Sequence, residues 1–424
     1  MRRSFALQTY ATLTSAGRLF VPLFLRVRIQ RGKEDPRRVA ERRGTATHKR
    51  PDGRLVWLHG ASIGECLSLL PCMEEVVGQG FHVVVTSGST GSARVLAERL
   101  PARTVHQFLP LDIYRYASRF LEHWRPEIVL VAESEIWPNT FRAVKKRGIP
   151  LVSVNARLSE KSFSRWSTAS KAARQVFGMI DLCLAQSQED AERFADLGAR
   201  DVRVIGNLKF DAKAPPVSRA ELSDLSSRLG ARAVWAAVST HAGEEDIAAD
   251  VHLALRTRLP SLLTIIAPRH PHRGNDVSEM LLRKNLCVAR RSKGELLTQQ
   301  TDIYLADTLG ETGLLYRLGA LAFVGRSLTA KGGQNPIEAA KLGCAILHGP
   351  HVGAFREVYA ALDQREGALV VTDRATLTEA IARLLTDAQA LRHMARSAAA
   401  VAEEQSGATA RVLQAIQPYL AQRT

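Results

Sequence analysis

The sequence predicts an α/β protein made of two doubly wound domains, and three observations carry that expectation. The 424-residue chain is too long for one ordinary hydrophobic core. Short apolar runs alternate with amphipathic or Ala-rich stretches of helical length, the pattern of a parallel sheet covered on both faces. The alternation breaks once, at 211–218, where two prolines and no apolar period mark a linker, and then restarts.

Residues 1–50 form a segment of their own. Positions 5–29 are apolar in part, but Arg18 and Arg26 interrupt the run, which is too short and too polar for a transmembrane helix. An interfacial helix followed by the cationic stretch 26–43, facing an anionic membrane surface, fits better. Residues 1–54 hold fourteen Lys/Arg and four Asp/Glu, so +10 of the formal +16 precedes the first strand. With charge concentrated there and only 6% aromatic residues, the footprint of a nucleic-acid-binding protein is missing. Five scattered cysteines without a C-x-x-C pair point to a reducing compartment and away from a structural zinc site.

In the first domain, 51–212, strands are expected at 55–59, 82–86, 105–109, 128–132, 151–155, 182–185 and 202–205. In the second, 213–424, they are expected at 234–238, 262–267, 286–289, 302–305, 321–324, 345–347 and 369–371, with a helical tail over 375–419. Ligands of such sheets lie outside the carboxyl ends of the strands, so the residues just after each strand are the candidates for chemistry.

The segment 331–338 (KGGQNPIE) follows an apolar strand and opens a helix. Its glycines allow close backbone approach, Pro336 suits a helix start, and Glu338 in the first turn can accept hydrogen bonds from ligand hydroxyls. In 59–65 (HGASIGE), Glu65 is either a general base or only a helix-capping acid, whose pKa the dipole lowers unless apolar burial offsets it. Segment 86–92 is a bare Gly/Ser loop, more a helix cap than a ligand site. Glu133 and Glu135 lie two apart at a strand end, one free to face a reaction and the other to make a structural hydrogen bond. Lys209 closes the domain, where a cation can meet an anionic donor or simply be solvated. Arg269 ends a buried strand and suits an oxyanion. His270 and His272 lack metal-ligand spacing, and no essential metal is expected. The turn around Gly310 offers backbone N–H groups, and 325–327 adds backbone flexibility. No phosphate-binding G-x-x-x-x-G-K-[ST] loop is present.

In order along the chain, 59–65, 133–139 (ESEIWPN), 155–159 (NARLS), 206–211 (GNLKFD), 239–245 (STHAGEE), 268–270 (PRH), 307–316 (DTLGETGLLY) and 332–340 (GGQNPIEAA) resemble the 3-deoxy-D-manno-octulosonic acid (Kdo) transferases of lipopolysaccharide synthesis. The resemblance covers nearly the whole chain. It implies the GT-B fold, two Rossmann-like domains facing across a cleft. It also implies an inverting, metal-independent transfer of Kdo from CMP-Kdo to the lipid A precursor, lipid IVA, at the cytoplasmic face of the inner membrane, with no cofactor. Glu65 then matches the proton acceptor, and Glu133 and Lys209 the residues that stabilise the transition state, with Glu135 as the alternative to Glu133. Pro268, Arg269, Leu309, Gly310, Glu311, Asn335, Pro336, Ile337 and Glu338 match the CMP-binding segments. The competing reading is another GT-B transferase or epimerase that uses a UDP-sugar. Two departures stand out: Gly60 where Ala or Ser is usual, and an N-terminal segment less hydrophobic than the family anchor.

Overall fold

The computed structural model describes residues 4–421. The chain divides into two compact units, Met1–Ala212 together with Gln405–Thr424, and Lys213–Glu404. The first holds parallel strands β1 (Leu55–His59), β2 (His82–Ser87), β3 (Thr104–Phe108), β4 (Ile128–Ala132), β5 (Leu151–Ala156), β6 (Leu182–Ala185) and β7 (Val202–Val204), in the order β3-β2-β1-β4-β5-β6-β7. The second holds β8 (Val234–Thr240), β9 (Leu263–Pro268), β10 (Val288–Arg290), β11 (Ile303–Leu305), β12 (Leu321–Val324), β13 (Ala345–His348) and β14 (Ala368–Val370), in the order β10-β11-β9-β8-β12-β13-β14. Every expected strand is present, and β10 shows the largest shift. In each sheet the chain starts in the middle and later resumes on the other side, which creates a switch point between β1 and β4 and another between β8 and β12.

Both faces of the first sheet are buried because its strands read as continuous apolar runs. Leu55 and Trp57 join Phe120, Trp124 and Val129 on one face, while Val56 and Leu58 join Cys66, Met73 and Leu130 on the other. The second face is completed by Ala408, Val412, Ile416 and Leu420, the apolar stripe of helix Ala408–Ala421. The expected second domain of 213–424 is therefore too long, because its last helix returns to the first unit. Helical spacing discloses that this stripe is buried but not which sheet it covers.

The N-terminal segment is also not a separate arm. Helix Val21–Gln30 packs Val21 and Leu25 against Ile113 and Tyr116, and the Tyr10 hydroxyl in helix Phe5–Gly17 donates to Asp112 at 2.8 Å. Much of the cationic stretch is consumed internally. Glu34 accepts from Arg28 at 2.7 Å and Arg42 at 2.9 Å, and Arg38 grips Glu41 with two bonds of 2.9 Å. Arg42 donates to the carbonyls of Gly88 and Leu109, and Glu41 accepts the Phe108 N–H at 2.7 Å. His106 sits among these groups, and burial, then Arg38 and Arg42, push its pKa down to about 3. Phe5, Leu13, Leu19, Phe20, Leu23 and Phe24 remain exposed, and among the described residues no helix is long and apolar enough to cross a membrane.

Ile416→Ala should lower the stability of the first unit by about 2–5 kcal/mol, the usual range for such a truncation. Urea unfolding followed by tryptophan fluorescence reads this through Trp57, Trp124, Trp137 and Trp166. A loss confined to the second unit's Trp235 would assign the helix wrongly here.

Candidate active site

The residues after β1 and β4 meet at the first switch point. Ser62 caps helix Ile63–Ser68 by accepting the Glu65 N–H. Glu65 reaches back in turn: one carboxylate oxygen accepts the Ala61 N–H and the other the Ser62 hydroxyl, each at 2.8 Å. Capping and catalysis are thus not exclusive for this residue, since the cap fixes the orientation of the acid. Burial raises the Glu65 pKa, and the negative charge of Glu133 raises it further, against the lowering effect of the Ser62 and Ala61 bonds. The dipole's lowering influence does not prevail. Gly60 suits this tight turn, since a Cβ there would lie 3.0 Å from the Cys66 nitrogen and 3.1 Å from Glu65 Cβ.

Glu133 directly follows β4 and is in the left-handed region, with φ +53°. A non-glycine residue held there costs on the order of 1–3 kcal/mol and marks a constrained site. Its carboxylate meets Lys209 Nζ at 2.5 Å, with both side chains largely buried. Lys209 is therefore placed rather than merely solvated. Its turn is anchored twice: Asn155 Oδ1 accepts the Leu208 N–H at 2.9 Å, and Asp211 accepts N–H groups of Gly407 and Thr409 from the returning C-terminal helix. Glu135 accepts from the Trp137 indole at 2.9 Å and lies 3.4 Å from His59 Nε2. Of the two carboxylates, Glu133 therefore meets Lys209, while Glu135 meets Trp137 and His59. The first unit brings Glu65, Glu133 and Lys209 together.

In the second unit, Pro268 ends β9, and the exposed Arg269 is held by its N–H to the Thr240 carbonyl at 3.0 Å. His270 stacks edge-on against His241 at 5.5 Å, and Gln334 Nε2 lies 3.3 Å from His241 Nε2. That chain of contacts connects Arg269 to the 331–338 segment at the β8/β12 switch point. Asn335 Oδ1 accepts the Ile337 N–H at 3.0 Å, while Pro336 and Ile337 are buried. The helix they open, Ile337–Lys341, has five residues and supplies little dipole. Thr312 donates to Glu338 at 2.8 Å and so joins this segment to the turn of Leu309, Gly310 and Glu311. Gly310 has φ +83° and Leu309 is 70% exposed. The Glu311 carboxylate is committed to Arg291 and Thr308. Burial acts to raise its pKa, but these bonds prevail and hold it below the ordinary value. Among the described residues no three His, Cys, Asp or Glu side chains are placed to hold a metal ion.

Sequence reasoning passed over Glu244, which is 2% exposed. It accepts four backbone N–H groups, from His241 at 2.8 Å, Arg326 at 2.7 Å, and Ser327 and Leu328 at 3.0 Å each. The 325–327 turn is accordingly fixed rather than flexible. The available signal was a carboxylate opening a helix directly after a strand, in Gly243-Glu244-Glu245.

Comparison with known proteins identifies the family. Residues 37–212 match the family described as 3-deoxy-D-manno-octulosonic-acid transferase (kdotransferase). The chain is 34% identical to a probable mitochondrial 3-deoxy-D-manno-octulosonic acid transferase of Arabidopsis thaliana, over 95% of this chain and 93% of that protein. It is 33% identical to the 3-deoxy-D-manno-octulosonic acid transferase of Haemophilus influenzae, over 90% of this chain and 91% of that one. Among solved structures, a UDP-GlcNAc 2-epimerase from Neisseria meningitidis aligns with TM-score 0.62 at 14% identity, over 86% of this chain and all of that one, a likeness of fold alone. The two units are the Rossmann-like domains of the GT-B class, and the chain belongs to the 3-deoxy-D-manno-octulosonic acid transferase family.

Proposed function

We propose that this Kdo transferase moves Kdo from CMP-Kdo to a hydroxyl of the lipid A precursor lipid IVA, with inversion, without a metal, and with Glu65 as general base. The carrying observation is the half-buried Glu65 carboxylate, its pKa raised, at the same strand edge as the Glu133–Lys209 pair. The acceptor hydroxyl gives its proton to Glu65 as its oxygen bonds to the anomeric carbon of Kdo. The bond from that carbon to the CMP phosphate breaks, and CMP leaves with the electron pair. Attack opposite the leaving group inverts the centre. Lys209, held by Glu133, supplies a positive charge to the transition state, and Arg269 meets the developing charge on CMP. The turn of Leu309, Gly310 and Glu311 and the segment Asn335 to Glu338 complete the CMP contacts in this reading.

The purified protein should release CMP from CMP-Kdo only when a lipid A precursor is present, and equally well with a chelator. UDP release from a UDP-sugar would overturn the assignment in favour of another GT-B activity. Glu65→Gln should reduce turnover by roughly 10²–10⁴-fold, the range for a general base, while CMP affinity is retained; near-normal turnover would transfer the role to another group. Glu65 acts as base only when ionised, so activity is lost as pH falls through its raised pKa. The acid limb of kcat/KM should therefore lie above the ordinary glutamate value of 4.5. It should move to lower pH in Glu133→Gln, which removes the largest contribution after burial.

We also propose that the exposed apolar face of the N-terminal helices, flanked by Arg18, Arg26 and Arg31, rests on the cytoplasmic face of an anionic membrane. Phe20→Asp with Leu23→Asp should reduce sedimentation with phosphatidylglycerol vesicles and spare turnover of a soluble acceptor analogue. Undiminished vesicle binding would exclude this face.

A further inference from the structure

Arg326 lies outside every segment assigned so far, yet its position is tightly specified. It follows β12 at the switch point and is left-handed, with φ +57°. Its N–H is one of the four held by Glu244, and its carbonyl accepts the Gly333 N–H at 2.8 Å. Gly325 before it is required by space: a Cβ there would fall 2.6 Å from the Ser239 carbonyl and 2.8 Å from Glu244 Oε2. The backbone at Gly332 passes directly beside the guanidinium, so that a Cβ would lie 3.3 Å from Nε and 3.4 Å from Cζ.

The side chain so placed is exposed, and among the described residues no carboxylate pairs with it. The two nearby acids are already engaged, Glu244 by backbone N–H groups and Glu245 by Arg273 at 2.6 Å and Thr240 at 3.0 Å. Both Arg269 and Arg326 exert a positive charge on His270. Burial, then Arg326, push the His241 pKa down, so that ring is neutral near pH 7 and adds no third charge. Among the described residues the second switch point therefore presents two guanidinium groups, Arg269 and Arg326, that pair with no carboxylate.

A CMP-activated ulosonic acid carries two separate anions, the phosphate and the carboxylate on its anomeric carbon. Arg269 answers the first. We infer that Arg326 forms the subsite for the donor's sugar carboxylate, and that Glu244 is the residue that positions it; this rests on the donor proposed above. A planar guanidinium fork matches a carboxylate with two parallel hydrogen bonds. The left-handed turn, costly in itself, is maintained by the Glu244 bonds and directs that fork alongside the 331–338 segment. A sugar nucleotide without a carboxylate would leave Arg326 unpaired, so this residue selects for the ulosonic acid as opposed to the nucleotide.

The test uses the full-length protein and initial rates, reading KM for CMP-Kdo and the inhibition constant of CMP in parallel. Arg326→Ala should raise the donor KM by about 10–100-fold, the value of a hydrogen-bonded charge pair, and leave CMP inhibition unchanged. Arg269→Ala should raise both. As competitors, the CMP ester of Kdo and its carboxamide should differ by a similar factor in the wild type and bind alike in Arg326→Ala. Glu244→Gln should raise the donor KM while Arg326 is present and add nothing in the Arg326→Ala background. Should Glu244→Gln fail to fold, the Arg326 variants decide alone, because that side chain is exposed. An Arg326→Ala enzyme with unchanged donor KM overturns the inference. So does one whose CMP inhibition weakens as much as its donor KM, which would make Arg326 a phosphate ligand. A wild type inactive on CMP-Kdo would instead refute the proposed function.

Discussion

Parallel strands buried on both faces impose the constraint from which the rest follows. Such a sheet has no polar face, so ionisable chemistry is restricted to the strand ends. In both sheets the switch point separates the loops after two neighbouring strands and leaves room between them. Glu65 and Glu133 occupy one such position, and the 331–338 segment with Arg326 the other. The backbone registers this restriction too. Glu133, Asn155, Ser239 and Arg326, all non-glycine residues with positive φ, stand at the carboxyl ends of strands β4, β5, β8 and β12.

Four glutamates show how differently one side chain is used at these edges. Glu65 is left with a carboxylate satisfied by only two short-range donors, and burial together with a like charge makes it a better proton acceptor. Glu135 is bonded to an indole and a buried histidine and serves the frame. Glu311 is committed to an arginine. Among the described residues Glu244 forms no ion pair; four backbone N–H groups solvate it, so it organises a turn in the manner of a bound anion. Environment alone separates these roles.

That separation explains what was legible in the sequence. The fourteen strands were readable because continuous apolar runs of three to seven residues have few alternatives once turn residues bracket them. Glu65, Glu133 and Lys209 were readable as strand-end residues, and the ordered motifs assigned roles to them. Three features were not readable. The stripe Val412, Ile416 and Leu420 fits either sheet equally well by its spacing. The cationic stretch 26–43 shows its charge and, in Glu34 and Glu41, the acids that pair with part of it, but not that Arg38, Glu41 and Arg42 bond to His106, Phe108 and Leu109 more than sixty residues later. Gly325-Arg326-Ser327 reads as a flexible turn because the carboxylate that fixes it lies more than eighty residues earlier.

The return of helix Ala408–Ala421 to the first sheet also sets an order of events during synthesis. Residues 213–404 are contiguous and can complete their own core as they emerge. The first unit cannot: the face formed by Val56, Leu58, Val83 and Leu130 is covered only in part, by Cys66 and Met73 among others, until helix Ala408–Ala421 has been made. At about 5–20 residues per second, roughly 200 further residues take about 10–40 s. The nascent first unit therefore spends that interval with this sheet face only partly covered, by helices Ile63–Ser68 and Leu70–Gly78, and with the turn of Lys209 lacking its Asp211 anchor. The half of the protein made first thus gains the cover of helix Ala408–Ala421 only after the second unit has been made.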